Sequence, residues 1–184
     1  MSARRKIMQS YWKNKVVLVT GGSSGLGRVI AETFYQAGAR LIIVALEKEL
    51  LECAVREMEN NHIGNSIPNH TIQGSRVLPI HADITKQEDV ERIFETVRSQ
   101  YAGLDVLVNN AGRSMRGKVL DTTPEQFQSL FDLNVLGTIR CTRAAVPMLL
   151  ESTGHIVNIG SLAAKSAAKY VGAYPVSKFA VAAY

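Results

Sequence analysis

At 184 residues, with 46% apolar and 20% charged side chains, the chain has the size and composition of one globular domain able to bury a core. Its net charge of +5 is concentrated at the start: Arg4, Arg5, Lys6, Lys13 and Lys15 stand among the first fifteen residues without an acid, leaving 16 basic against 16 acidic residues in the body. Residues 1–14 therefore read as a basic solubilising arm and not as a nucleic-acid surface, and no apolar run approaches the length of a membrane span.

No apolar segment follows the basic start as a secretory signal would require, and the two cysteines, Cys53 and Cys141, lie far apart in helical patterns. The expectation is a cytoplasmic chain with reduced thiols. Lys15 to Thr20 holds the apolar run Val16-Val17-Leu18-Val19, bounded by a glycine-rich turn, and reads as a buried strand. Leu26, Ile30, Phe34 and Ala37 then recur at helical spacing, with Gly38 as the stop. A second buried strand runs from Leu41 to Ala45. A helix from Glu47 to Asn60 follows, with Leu50, Leu51, Ala54, Val55 and Met58 as its apolar stripe.

Asn61 to Ser75, rich in Asn, Ser, Gly and His, reads as a long loop. Arg76 to His81 gives a third strand, Lys86 to Gln100 a helix, and Leu104 to Val108 a fourth strand closed by Asn109-Asn110-Ala111-Gly112. Pro124 opens a helix that reaches Leu150 with an expected interruption near Pro147. His155 to Ile159 is a fifth strand, and a last helix begins near Ala173. Strands alternating with helices predict an α/β fold: a doubly wound, Rossmann-like parallel sheet covered on both faces, forming a dinucleotide-binding domain over residues 15–184. Such sheets usually have a sixth strand, in the order 3-2-1-4-5-6. Five are legible here and the final helix stops without a cap, so the C-terminus reads as incomplete.

Three motifs carry chemistry. Thr20-Gly21-Gly22-Ser23-Ser24-Gly25-Leu26-Gly27 follows a strand and opens a helix, where glycines admit a pyrophosphate to free backbone N–H groups at the helix N-terminus. In Tyr174-Pro175-Val176-Ser177-Lys178, residues four apart share a helix face, so an ammonium lies one turn from a phenol and favours its ionised form. Such a pair is also common on ordinary amphipathic helices. Ser161 stands just beyond an apolar strand, where its hydroxyl could donate to a substrate oxygen or merely cap its own turn. His62, His70, His81 and His155 show no ligand spacing, so no metal is expected.

Taken together and in order, these motifs resemble the short-chain dehydrogenase/reductases of the TGxxxGxG, NNAG and YxxxK subgroup, from about Lys15 to the last residue. The resemblance implies an NAD(P)-dependent oxidoreductase that interconverts a ketone and a secondary alcohol by hydride transfer. It implies that Tyr174 is the general acid/base and that Lys178 supports Tyr174 and contacts the nicotinamide ribose. Ser161 would polarise the carbonyl, and Asn134 would hold a water that links Lys178 to solvent. The cofactor would be held by Gly21, Ser23, Ser24, Gly25, Leu26, Gly27, Asp83, Ile84, Asn110, Ala111 and Gly112, together with Tyr174 and Lys178. Asp83 would meet the adenine, although a turn or cap acid is an equal reading from sequence. A homodimer or homotetramer is implied for the full-length form.

Where the family places a carboxylate for NAD, the chain has Ala45, followed by Leu46, Glu47 and Lys48. The missing acid points to NADP, with Lys48 as a possible phosphate partner, while Glu47 as a ribose ligand would leave NAD open. The substrate would be a small carbonyl or alcohol compound. A 3-oxoacyl thioester is one candidate, since Arg113, Arg116 and Lys118 could meet an acidic carrier or simply be solvated. The competing reading is a truncated, non-catalytic nucleotide-binding or scaffold protein. A sugar-nucleotide epimerase is disfavoured by the glycine spacing.

Overall fold

The structure is a computed structural model describing residues 11–62, 76–101, 103–166 and 169–184. The apolar runs become five strands: β1 (Val16–Thr20), β2 (Arg40–Ala45), β3 (Val77–His81), β4 (Val106–Asn109) and β5 (His155–Asn158). Helices α1 (Gly25–Gln36), α2 (Lys48–His62), α3 (Gln87–Gln100), α4 (Pro124–Phe131), α5 (Gly137–Ser152) and α6 (Tyr174–Ala183) alternate with or follow them. All strand pairs are parallel, in the order β3-β2-β1-β4-β5. The expected doubly wound topology is therefore present, with β1 at its centre.

Strand side chains alternate between faces, so β1 serves two cores. Val16 and Leu18 join Ile42, Val44 and Leu107 under α3 and α5, where Val90, Ile93, Phe94, Val97, Cys141 and Met148 complete one cluster. Val17 and Val19 join Leu41, Ile43, Val106 and Val108 on the other face, under Ala31 and Tyr35 of α1 and Leu51, Ala54 and Met58 of α2. The ends of β1 and β4 are tied by Asp105, which accepts from Lys15 Nζ at 2.7 Å and from the Val16 N–H at 2.8 Å. Trp12 also packs edge-on against Phe34, so the chain is already docked before β1 begins.

Several local expectations are corrected. On α1, Gly27, Ala31 and Tyr35 are buried and Ile30, Phe34 and the cap residue Ala37 pack inward as expected, but Leu26 lines the cleft and is 58% exposed. Leu50 likewise lies off the buried face of α2. The break before Leu150 is not at Pro147, which sits inside α5. It is at Asp132–Leu136, where one widened π turn separates α4 from α5. Pro147 is carried within α5, whereas the π turn inserts an extra residue that the hydrophobic pattern cannot reveal. All four residues of β5, at the edge of the sheet beside β4, are exposed among the described residues. Of the expected loop, Asn61 and His62 close α2 and 63–75 lie outside the described residues. No helix is long and apolar enough to cross a membrane among the described residues.

Candidate active site

The strand order reverses at β1, with β2 on one side and β4 on the other, so a crevice opens above their carboxyl ends. A cleft of about 540 Å³ occupies this place. Gly21, Ser23, Ser24, Gly25, Leu26 and Gly27 wall it from β1; Ala45, Leu46 and Glu47 from β2; Ala82, Asp83 and Ile84 from β3; and Asn110, Ala111 and Gly112 from β4. Every cofactor residue expected from the three early turns thus lines a single cleft.

The turn is closed by close approach as well as by backbone freedom. Gly21 has φ +64°, and a Cβ there would lie 2.9 Å from both Ala111 Cα and Asn110 Nδ2. A Cβ on Gly27 would fall on Asn110 Nδ2 and the Gly21 carbonyl oxygen. Asn110 is the peg between these turns: its Nδ2 donates to the Thr20 carbonyl (3.0 Å) and the Gly21 carbonyl (3.1 Å). Thr20, which sequence reasoning quoted but gave no role, accepts at Oγ1 from the N–H groups of Asn110 (3.1 Å) and Ala111 (3.0 Å). A cradle in which Gly21 and Gly27 leave no room for side chains suits a phosphate-bearing ligand approaching the N-terminus of α1.

Asp83 lines the cleft and is also a turn acid, accepting at Oδ1 from the Thr85 N–H (2.9 Å) and hydroxyl (2.8 Å). Its own N–H goes to Asp89 in the first turn of α3. This contact and Arg92 hold the Asp89 carboxyl below the usual range. Glu47 lines the cleft, but Lys48 does not. Lys48 borders a separate pocket of about 430 Å³ beside β3 and reaches toward Glu52 at 4.0 Å.

The expected catalytic residues form a second group beside this cleft. Lys178 is only 8% exposed; its Nζ donates to the Ile159 carbonyl just past β5 (2.6 Å) and lies 6.0 Å from the centre of the Tyr174 ring. Burial pushes its ammonium pKa down. Ser161 accepts at Oγ from the Ala163 N–H at 3.1 Å, capping a short 3-10 turn (Leu162–Ala164) and keeping its own proton to donate.

Asn134 sits 2% exposed in the π turn, its Oδ1 filling the space beside Gly112. Its side chain is joined to the Arg113 N–H (2.9 Å), the Arg113 carbonyl (3.0 Å) and Ser177 Oγ (3.0 Å), so it is linked to α6 through Ser177 rather than directly to Lys178. Ser177 had no role in the sequence reading, and its burial between Tyr174 and Lys178 is visible only once α6 is oriented. Among the described residues no group of three or more His, Cys, Asp or Glu side chains could hold a metal ion.

Comparison with known proteins bears on the family and the fold. Residues 15–184 match the family model described as short chain dehydrogenase. An uncharacterized oxidoreductase of Staphylococcus aureus is 30% identical over 169 residues, covering 91% of this chain and 67% of the relative. Dehydrogenase/reductase SDR family member 7B of Bos taurus is 32% identical over 178 residues, covering 96% and 53%. Among solved structures, a short-chain dehydrogenase from Streptomyces avermitilis aligns with TM-score 0.79 at 35% identity, covering 92% of this chain and 57% of its own. L-sorbose reductase from Gluconobacter frateurii, complexed with NADPH and L-sorbose, aligns with TM-score 0.81 at 32% identity, covering 92% and 60%. The chain spans between about half and two thirds of the length of these relatives.

Proposed function

The chain belongs to the short chain dehydrogenase family, and on that footing we propose that it is an NADP-dependent oxidoreductase interconverting a ketone and a secondary alcohol. The observation that carries the reading is the buried Lys178 ammonium, held by the Ile159 carbonyl one helical turn from Tyr174, with its Nζ 6.0 Å from the centre of the Tyr174 ring. An isolated Tyr-Lys pair on an exposed helix face would not be desolvated in this way.

The fit of a dinucleotide rests on the cradle: Gly21 and Gly27 admit backbone approach, and Ser23 and Ser24 offer hydroxyls on the same wall. Asp83 and Glu47 would face the adenosine half, and Asn110, Ala111 and Gly112 the other. When bound, the nicotinamide supplies or accepts the two-electron reducing equivalent at the carbonyl carbon. Ser161 Oγ–H donates to the carbonyl oxygen and polarises it. Tyr174 delivers its phenolic proton to that oxygen in reduction and recovers it in oxidation. The Lys178 ammonium stabilises the phenolate left behind, more strongly in this desolvated setting than in water. Asn134 keeps the cleft turn and the first turn of α6 in register.

The preference for NADP is supported by Ala45 at the place of a ribose-binding acid and by the NADPH complex of L-sorbose reductase. Glu47 in the cleft, with Lys48 turned away, is the feature that would favour NADH. Titration of the chain with NADPH and NADH, followed by nicotinamide fluorescence, tests the reading: saturable binding with the tighter constant for NADPH is expected. Absence of binding to both nucleotides would overturn it, and tighter NADH binding would reverse the cofactor assignment.

A further inference from the structure

One buried polar chain reaches from the cleft turn into α6, and its member Ser177 has no role in the chemistry proposed above. It runs from the Arg113 backbone, at the end of the cleft turn, through the Asn134 amide and the Ser177 hydroxyl to the Tyr174 carbonyl. Ser177 is 1% exposed, accepts from Asn134 Nδ2 at 3.0 Å and donates to the Tyr174 carbonyl at 2.8 Å. Both amide protons of Asn134 are committed, one to Arg113 and one to Ser177. The hydroxyl proton of Ser177 is committed as well. Such a saturated network has one low-energy arrangement, and removing a member leaves a buried donor unmatched.

We propose that Ser177 is a positioning residue: it locks the first turn of α6 to the turn lining the cleft, so that Tyr174 and Lys178 keep their place relative to a bound cofactor. This rests on the oxidoreductase reading, since the distance it controls matters only if Tyr174 and Lys178 act on a substrate held at the cleft. The geometry is specific to Ser177. Its neighbour Val176 is 52% exposed and outside the network. A main-chain bond alone could hold the helix turn, but only the hydroxyl reaches sideways to Asn134.

The test compares Ser177→Ala, Ser177→Thr and the control Val176→Ala by amide hydrogen exchange and by turnover. Exchange is expected to quicken about fivefold in Ser177→Ala at the Arg113 amide, the equivalent of one lost hydrogen bond, and at the first turn of α6. The core amides of Leu18 and Leu107 should be unchanged. Turnover of NADPH with a panel of aliphatic and aromatic ketones is expected to show kcat down about ten- to a hundredfold, with KM little altered, as misplacement of reacting groups does. Ser177→Thr, which keeps the hydroxyl, is expected to recover most of both effects.

Exchange that rises uniformly, core included, would reduce Ser177 to a stability residue, and an unchanged Arg113 amide would remove the tether. If the unaltered chain turns over no ketone, the proposed reaction fails for this chain. The tether then stands or falls on the exchange result alone.

Discussion

Replacing Gly27 by alanine isolates the packing of the cleft turn from its backbone freedom. A Cβ at Gly27 meets Asn110 Nδ2 and the Gly21 carbonyl oxygen, and one of these is backbone, so no rotamer change can relieve both contacts. Displacing Asn110 would break its bonds to the Thr20 and Gly21 carbonyls, worth about 1 kcal/mol each. Local overpacking adds ~1–3 kcal/mol. Against this, alanine in a helix gains about 1 kcal/mol over glycine. The expected net loss is therefore ~2–4 kcal/mol. Gly25→Ala is the matched control. Its φ is +52°, but a Cβ there has open space, so only the left-handed strain of about 1–2 kcal/mol applies. Urea unfolding midpoints measure both, and NADPH fluorescence reads the cleft. The reasoning is refuted if Gly27→Ala is no less stable than Gly25→Ala, or if it binds nucleotide as the unaltered chain does.

Three further outcomes are expected. Tyr174→Phe should abolish turnover while leaving the NADPH dissociation constant within about twofold, because the phenol is assigned to proton transfer and not to the cradle. Residual turnover measured by nicotinamide absorbance would remove Tyr174 from that role. Cys141 is fully buried and its thiol is pushed up to about 12, whereas Cys53 is partly exposed on α2, so iodoacetamide mass mapping of the folded chain should label Cys53 and spare Cys141. For Lys178 the folded pKa lies below its ordinary 10.5, so burial of its charge costs stability below the folded value. That cost disappears as pH rises through the folded value toward 10.5. Lys178→Met should therefore gain stability relative to the unaltered chain at neutral pH, and the gain should shrink as pH is raised. A gain that grows with pH in urea titrations would contradict the sign.

Most of the fold and of the cleft can be read in the chain because their signals are local. Buried parallel strands are continuous apolar runs such as Val16 to Val19, and turns that need close approach are written in glycine. Residues whose meaning depends on a partner across the sheet are not legible in this way. Thr20 is one polar residue at a strand end until Asn110 and Ala111 are seen to donate to it. Ser177 is an ordinary helix serine until the π turn aims Asn134 at it. That turn is invisible to a 3.6-residue pattern because it shifts the phase once, and Pro147, the obvious breaker, is accommodated.

The bonds from Thr20 to Asn110 and Ala111 span 90 and 91 residues of chain, and those of Asp105 to Val16 and Lys15 nearly as many. Parallel neighbours such as β1 and β4 cannot meet through a hairpin, so the chain must close a long loop before these contacts return any energy. The ligand cleft is thus a high-contact-order product of folding, expected to assemble after the local helices and after β1 has paired with the nearer β2. During that interval the unpaired edge of β1, with free backbone N–H and C=O groups flanked by apolar side chains, is open to wrong pairing or aggregation. The order in which strands pair, as well as the stability of the finished sheet, therefore bears on whether the cleft forms.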